Sequence, residues 1–138
     1  MNAILPDTNA YSRYCRGDEF VLEVLTRAKR VYMSIFVVGE LIAGFKGGNR
    51  DSKNMAVLKE FMSIPTVEFL GAGWKTGEIF GDLKSHLKKA GTPLPINDVW
   101  IAAHCLETDS QILTFDVHFQ KVPAIRLAEE AFPSPKGA

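Results

Sequence analysis

With 138 residues, of which 46% are hydrophobic, the chain can form one domain with its own core, without disulfides or a structural metal. Lys and Arg number 16 and so do Asp and Glu, which excludes a strongly basic or acidic protein, so any basic surface must be local. Cys15 and Cys105 lack zinc-ligand spacing, and we expect reduced thiols in a cytoplasmic protein. The first residues lack the basic and long apolar regions of a secretory leader, and no apolar run reaches about 18 residues, so we expect neither secretion nor membrane insertion.

Short apolar segments alternate with amphipathic ones along the chain. Strands are predicted at residues 4–6, 31–33, 66–70 and 111–115, with an apolar closing segment at 122–127. Helices are predicted at 11–16, from 18 onward, at 35–45, between 50 and 65, at 74–90 and at 96–106. This alternation predicts a single α/β domain over residues 1–132, with a central, mostly parallel sheet of four to five strands flanked by helices. Residues 133–138, rich in Pro, Gly and Ser, are predicted to be a disordered tail.

An acidic residue directly follows the first predicted strand. Asp7, with Thr8 and Asn9 after it, lies at the carboxyl end of that strand, where ligands gather in open α/β sheets. The alternative is that these three residues only cap the next helix, because each can accept hydrogen bonds from free backbone N–H groups. Pro6 cannot donate to a sheet ladder, so we expect it at the terminal position of its strand.

Three more acids occupy comparable positions. Asp116 closes the fourth predicted strand, and Glu40 lies in the helix that begins after Ser34. Asp98 lies in the first turn of the last predicted helix, where it, or Asn97 beside it, can also act as a plain cap. In a doubly wound sheet, all four acids can share one edge.

Four neighbouring carboxylates have a chemical consequence. They repel one another, so they are stable together only with bound cations or with raised pKa values. Oxygen ligands alone favour Mg²⁺ or Mn²⁺. Mg²⁺ takes only one or two carboxylates directly and keeps several waters, which leaves room for a substrate phosphate. Two such ions can activate water and stabilise the leaving oxygen of a phosphodiester, so the acids indicate a metal site for phosphate chemistry.

Basic residues cluster in a loop and at a helix end. The residues are Lys46, Arg50 and Lys53 in the loop after the third predicted helix, and Lys84, Lys88 and Lys89 at the end of the helix 74–90. For each cluster the alternatives are contact with phosphates and an ordinary structural role, as a solvated face or as a complement to the helix dipole.

Histidines and aromatic residues give weaker signals. His86, His104 and His118 have no triad-like or metal-ligand spacing and are expected at the surface or in packing. His118 is also close enough in sequence to Asp116 to touch a substrate phosphate. Trp74, like the other aromatic residues on the apolar stripes, is expected in the core.

Four short motifs stand in order along the chain. They are Asp7-Thr8-Asn9 after an apolar strand, Ser34 followed by Glu40-Leu41 and Gly44, Pro95-Ile96-Asn97-Asp98 with Ile101-Ala102-Ala103, and Leu113-Thr114-Phe115-Asp116 with Phe119. Together they resemble the PIN domain, and most closely its VapC-like toxins, over nearly the whole chain. One departure is Pro6, which stands where the family commonly has an aliphatic residue.

The resemblance implies a metal-dependent endoribonuclease that cuts structured RNA, often a transfer RNA or ribosomal RNA, with Mg²⁺ or Mn²⁺ as cofactor. It also implies a homodimer, a cognate antitoxin that inhibits the enzyme, and an RNA groove flanked by basic residues. The acids carried over as catalytic and metal-binding are Asp7, Glu40, Asp98 and Asp116. The supporting polar residues are Thr8, Asn9, Ser34 and Thr114, and the candidate RNA-binding residues are Lys46, Arg50, Lys84, Lys88 and Lys89.

Two other functions compete with the ribonuclease. One is a non-cleaving RNA-binding module that blocks translation by occupancy and uses its acids to hold a structural cation. The other is a phosphatase of a different α/β family, since an Asp after the first strand can be a nucleophile. The segment after Asp7 lacks the second Asp expected of haloacid-dehalogenase phosphatases, which disfavours that reading.

Overall fold

The computed structural model describes residues 2–128, and in that range five strands form one sheet. The strands are β1 (Ala3–Pro6), β2 (Arg30–Ser34), β3 (Val67–Leu70), β4 (Gln111–Leu113) and β5 (Arg126–Leu127). Their order is β3-β2-β1-β4-β5, and every neighbouring pair is parallel. The predicted α/β fold with a parallel sheet is confirmed. The predicted tail at 133–138 and the end of the predicted domain at 129–132 lie outside the described residues.

Helices connect the strands. They are α1 (Thr8–Cys15), α2 (Glu19–Arg27), α3 (Ile35–Lys46), α4 (Asp51–Met62), α5 (Trp74–Lys89) and α6 (Ile96–Thr108), with a 3₁₀ helix at Val117–Lys121. None of these helices within residues 2–128 has the length and apolar character needed to span a membrane. The strand predicted at 111–115 ends earlier, at Leu113, because the Thr114 hydroxyl accepts the backbone N–H of Asp116 at 3.0 Å and turns the chain.

The first strand lies at the centre of the sheet. All four residues of β1 are buried, and β1 pairs with β2 on one side and β4 on the other. Pro6 is the last residue of β1, as predicted, so the ladder ends where proline cannot donate. The next backbone N–H, that of Asp7, donates to the Leu113 carbonyl at 3.1 Å. The turn into α1 is therefore fixed against the end of β4.

Helices α5 and α6 run antiparallel against each other. The Thr76 hydroxyl, near the start of α5, donates to Glu107 Oε1 near the end of α6 at 2.6 Å. Phe80 stacks on Trp100 with ring centroids 3.7 Å apart. Because the helices are antiparallel, the basic end of α5 lies beside the first turn of α6, which carries Asp98.

The prediction that Trp74 lies in the core is wrong. Its side chain is 86% exposed because it is the first residue of α5, ahead of the apolar stripe that packs on α6. That stripe begins with the buried Thr76 and continues through Leu83 and Leu87. A position on a helical stripe predicts burial only where a second element covers that turn.

Candidate active site

The carboxyl edge of the sheet holds Asp7 in a fixed orientation. Asp7 is 6% exposed, and its Oδ1 accepts the backbone N–H of Ala10 at 2.9 Å as the N-cap of α1. Its Oδ2 accepts the hydroxyl of Thr114. Asp7 thus caps α1, as one of the two alternatives from the sequence predicted. Capping does not exclude a role in the site, because the bonds from Ala10 and Thr114 also fix the orientation of the carboxylate at the edge of the sheet.

Burial raises the pKa of Asp7 above its usual range. The hydrogen bonds from Thr114 and Ala10 oppose this shift, because they stabilise the charged form. The nearby carboxylates of Asp116 and Glu40 raise the pKa further through charge repulsion. Positive charge placed nearby would therefore favour the charged form of Asp7.

Asp98 lies in the first turn of α6 and is half-buried. Burial is the main cause that raises its pKa to about 6, and repulsion from Asp116, Glu40 and Asp7 adds to it, whereas His118 lowers it. Within residues 2–128 the Asp98 carboxylate has no hydrogen bond or ion pair. Repulsion from the other acids therefore outweighs the effect of His118, and a bound cation would stabilise the charged form of Asp98.

Glu40 and Asp116 complete the acidic set. Glu40 is exposed on α3, and its Oε1 accepts the Thr8 hydroxyl at 2.5 Å. Asp116 accepts the backbone N–H of His118 at 2.9 Å and lies 2.8 Å from His118 Nδ1. The four acids thus come from four different segments that meet at one edge, and their mutual repulsion shows in the pKa of Asp98. We name them the acidic edge.

The predicted supporting residues separate into two groups. Thr8 and Thr114 contact members of the acidic edge, Glu40 and Asp7 respectively. Ser34 is buried and caps α3 by accepting the backbone N–H of Phe36 at 3.1 Å, and its described contacts include none of the four acids. Asn9 is exposed and has no side-chain hydrogen bond within residues 2–128. The hydroxyls that follow β1 and β4 are therefore the ones that orient carboxylates.

The acidic edge fits a divalent cation by its donor chemistry. No three Asp, Glu, His or Cys side chains within residues 2–128 converge closely enough to enclose an ion by themselves. Electrostatic repulsion nevertheless couples all four acids. The two observations are compatible, because Mg²⁺ needs only one or two direct carboxylates and fills its other positions with water and substrate oxygens.

The candidate RNA-binding residues lie in two environments. Lys46 forms an ion pair with Asp51 at 2.8 Å, and Arg50 is the N-cap residue of α4 but makes no capping bond with its side chain. Lys84 and Lys88, one turn apart on α5, line a cavity with Val99, the residue after Asp98. Lys89 is exposed at the end of α5. Lys84 and Lys88 are therefore the candidate basic residues on the helix that packs against α6, the helix of Asp98.

Two residues near this edge had no separate signal in the sequence. The Arg13 guanidinium lies 3.8 Å over the ring of Phe115, next to Asp116, and bonds to Asp18 at 3.5 Å. His104 is fully buried on α6 and contacts Ser34. For His104 the available hint was its place in an apolar helical run, where a polar side chain needs a partner. No sequence pattern links Arg13 to Phe115.

The structure thus defines a parallel α/β domain with four acidic residues gathered at the carboxyl edge of its sheet. Residues 4–125 match the PIN domain family. Ribonuclease VapC2 of Haemophilus influenzae is 31% identical over 110 residues, which cover 76% of this chain and 82% of that protein. The chain therefore belongs to the PIN domain family and, within it, to the VapC ribonucleases.

Solved structures agree with this assignment. The DNA-bound VapBC complex of Salmonella typhimurium contains a chain with a TM-score of 0.82 and 25% sequence identity, and the match covers 92% of this chain and 97% of that one. A chain of VapBC-1 from Haemophilus influenzae has a TM-score of 0.81 at 24% identity, with 91% and 96% covered. This membership removes the alternative of a phosphatase from another α/β family.

Proposed function

We propose that this protein is a metal-dependent endoribonuclease, the toxin of a toxin–antitoxin pair, and that it hydrolyses phosphodiester bonds in structured RNA. The observation that carries the proposal is the electrostatic coupling of Asp7, Glu40, Asp98 and Asp116 at one edge of the sheet. A soluble fold does not need four acids that repel one another. A site for Mg²⁺ or Mn²⁺ accounts for them, since a cation neutralises the repulsion.

Asp7 and Asp98 are the residues best placed to hold the cation. Asp7 is fixed by Thr114 and Ala10, so it offers oxygens whose orientation costs little entropy on binding. The Asp98 carboxylate has no described hydrogen-bond partner to give up. When bound, the cation would supply positive charge that activates water and stabilises the phosphate in the transition state.

Glu40 and Asp116 have supporting tasks in this proposal. Thr8 orients Glu40 beside the bound cation or the attacking water. Asp116 holds the His118 ring at the rim of the acidic edge, where His118 can contact a substrate phosphate. Each of these side chains orients a charge or a proton, and the removal of any one of them should slow cleavage without unfolding the domain.

Lys84 and Lys88 give the substrate a second contact. Both line a cavity with Val99 on α6, the helix that carries Asp98, and we propose that their ammonium groups bind phosphates adjacent to the cleaved bond. Structured RNA presents such phosphates together with unstacked loop bases. We therefore propose a folded RNA, a transfer RNA or a ribosomal RNA, as the substrate class.

Partners and cell compartment complete the proposal. The VapBC structures named above are toxin–antitoxin complexes, and we infer a cognate antitoxin that places an Arg or Lys in the acidic edge in place of the metal charge. We also infer a homodimer. A cytoplasmic location follows from the RNA substrate and agrees with Cys15 and Cys105, which are both free thiols.

The experiment is to incubate the purified protein with total cellular RNA, with and without Mg²⁺ or Mn²⁺, and to sequence the new 5′ ends. Asp7→Asn is compared with Asp82→Asn, which changes an exposed acid on α5 outside the acidic edge. We expect discrete, metal-dependent cuts that Asp7→Asn loses and Asp82→Asn keeps. Cleavage by Asp7→Asn at the wild-type rate would overturn the proposal. Intact RNA with retained binding would favour the occupancy module instead.

A further inference from the structure

His104 is a fully buried histidine with a hydrogen-bond partner at each ring nitrogen. Its Nε2 lies 3.1 Å from the carbonyl oxygen of Gly71, and its Nδ1 lies 2.8 Å from the hydroxyl of Ser34. A carbonyl oxygen can only accept, so Nε2 carries the proton and donates it. Burial lowers the pKa of His104, so the ring is neutral and Nδ1 accepts the Ser34 hydroxyl proton.

Ser34 connects this histidine to the start of α3. Its oxygen accepts the backbone N–H of Phe36 and its hydroxyl proton goes to His104, so both capacities of the hydroxyl are used. The bonds run in one direction, from Phe36 N–H to Ser34, from Ser34 to His104, and from His104 to Gly71. We name this chain of bonds the His104 relay. It joins the ends of β2 and β3 to the middle of α6.

One face of α6 clamps the first turn of α3. Asn97 Nδ2 donates to the Phe36 carbonyl at 3.4 Å, and Trp100 stacks on the Phe36 ring with centroids 5.0 Å apart. His104 follows on the same face and lies 5.1 Å from the same ring. Of these contacts, the Ser34 bond to His104 is short, at 2.8 Å, and joins two fully buried polar side chains.

The two clamped helices carry two of the four acids. Asp98 lies on α6, one residue from Asn97, and Glu40 lies on α3, just over a turn from Phe36. The His104 ring has no described contact with any member of the acidic edge. Any effect of His104 on the site must therefore pass through the relative position of these two helices.

We propose that His104 is a positioning residue that holds α6 against α3 through Ser34 and so sets the distance between Asp98 and Glu40 for the divalent cation. This inference rests on the proposed metal-dependent function. Hydrogen bonds that orient metal ligands from behind typically change metal affinity or activity 10- to 100-fold when removed. The relay is the buried, fully satisfied polar network that such orientation requires.

Two substitutions of His104 separate the two ends of the relay. In His104→Asn, the side-chain oxygen takes the place of Nδ1 and can accept from Ser34, but the bond to Gly71 is lost. In His104→Gln, the side-chain NH₂ takes the place of Nε2 and can donate to Gly71, but the bond from Ser34 is lost. Both are uncharged amides, so a difference between them reports which bond matters.

The primary measurement is Mn²⁺ affinity by calorimetry on the full chain without RNA. We expect His104→Asn to bind Mn²⁺ like the wild type and His104→Gln to bind it about 10-fold more weakly. Steady-state cleavage should show kcat about 10-fold lower for His104→Gln with KM for RNA unchanged. Long-range ¹H–¹⁵N correlation spectra should show the ring of the wild type as the neutral Nε2–H tautomer.

Several results would overturn the inference. Wild-type Mn²⁺ affinity in a folded His104→Gln protein would show that the relay only stabilises the fold. An equal loss of Mn²⁺ affinity in both variants would show that the Ser34–His104 bond does not position the metal ligands. A charged ring or an Nδ1–H tautomer would contradict the direction of the relay. If the His104 variants do not fold, Ser34→Ala keeps the ring and must reproduce the 10-fold loss, or the inference fails.

The proposed function fails in a different way. If the wild type binds no Mn²⁺, or if Asp98→Asn binds it as tightly as the wild type, the metal site itself is wrong, and the inference falls with it. If the wild type binds Mn²⁺ and Asp98→Asn does not, the site stands. A null effect of His104→Gln then counts against the His104 relay alone.

Discussion

The hydroxyl of Thr114 accepts the backbone N–H of Asp116 and donates to Asp7 Oδ2, so one side chain joins the ends of the adjacent strands β1 and β4. The donated bond holds the pKa of Asp7 down against burial and against the charges of the neighbouring acids. The ionised state of the most buried acid therefore depends on a residue from a distant part of the chain.

We expect Thr114→Val, which keeps the shape of the side chain and removes its hydroxyl, to shift the pH profile of cleavage to higher pH. The lost bond lowered the pKa of Asp7, so its removal makes the carboxylate protonate at a higher pH than in the wild type. Hydrogen bonds to charged groups are worth about 2 kcal/mol, so the rate on the acid limb of the profile should fall at least tenfold. The measurement is kcat/KM for a cleaved RNA against pH.

Thr26→Val is the matched control, because Thr26 is exposed on α2. Its pH profile should overlay that of the wild type. A Thr114→Val profile with its acid limb at the wild-type position would show that Thr114 does not govern the ionisation of Asp7.

Asp98→Asn should stabilise the metal-free protein at pH 7.5. The pKa of Asp98 is about 6 in the folded state and 3.8 in the reference state, so the folded chain binds the proton more tightly between these values. The stability contributed by this proton is fully present below pH 3.8 and is lost as the pH rises through about 6. At pH 7.5 the wild type therefore carries a repulsive charge that the Asn variant lacks.

The measurement is the free energy of unfolding in urea with EDTA, for both proteins, at pH 4.5 and 7.5. The advantage of Asp98→Asn over the wild type should be larger at pH 7.5. Other titrating groups such as His104 are common to both proteins and cancel in the comparison. Mg²⁺ should then raise the stability of the wild type more than that of the variant. An advantage that does not change with pH would contradict the raised pKa.

Local patterns in the sequence predicted the elements that place the acids. An apolar run followed by a polar residue identifies the carboxyl end of a strand at Asp7 and near Asp116, because strand ends are decided by neighbouring residues. The prediction missed the early end of β4, where Thr114 replaces a ladder bond with its own hydroxyl. Local competition of this kind between side chain and backbone has no strong sequence signal.

Contacts between distant segments could not be predicted. Ser34 and His104 are each unremarkable in their own segments, and their hydrogen bond exists because α6 packs across the start of α3. The exposure of Trp74 has the same origin, since whether a helical turn is covered depends on where its neighbour ends. Helix packing decides both outcomes, and a single sequence does not encode packing in any short pattern.

The lysines at the end of α5 should affect RNA binding and not the chemical step. In the double variant Lys84→Ala/Lys88→Ala, we expect a higher KM for RNA with kcat unchanged, because both lysines lie on the helix beside that of Asp98 and neither forms an ion pair with an acid within residues 2–128. The slope of log affinity against log salt should decrease by about 2. The measurement is RNA binding at several salt concentrations by Asp7→Asn, which should not cut the RNA, and by the triple variant Asp7→Asn/Lys84→Ala/Lys88→Ala.

Lys29→Ala/Lys59→Ala is the control for that experiment, because both lysines are exposed, Lys29 in the loop between α2 and β2 and Lys59 on α4, and neither segment carries one of the four acids. It removes the same net charge. If the two double variants change the salt slope equally, the effect comes from total charge and the α5 pair makes no specific contact.

Thr8 offers a test of Glu40, the acid that lies most exposed on the edge. The Thr8 hydroxyl donates to Glu40 Oε1, and without that bond the long Glu40 side chain is free to sample several rotamers. We expect Thr8→Val to weaken Mn²⁺ binding about threefold, in keeping with a rotamer cost of roughly 0.6 kcal/mol, and Thr8→Ser, which keeps the hydroxyl, to bind like the wild type. Calorimetry on both variants measures this directly.

Glu40→Gln should bind Mn²⁺ more weakly than Thr8→Val does, since it removes the negative charge of Glu40 and not only its fixed rotamer. If Thr8→Ser binds Mn²⁺ as weakly as Thr8→Val, the effect comes from the methyl group of Thr8. The Thr8 hydroxyl then does not orient Glu40.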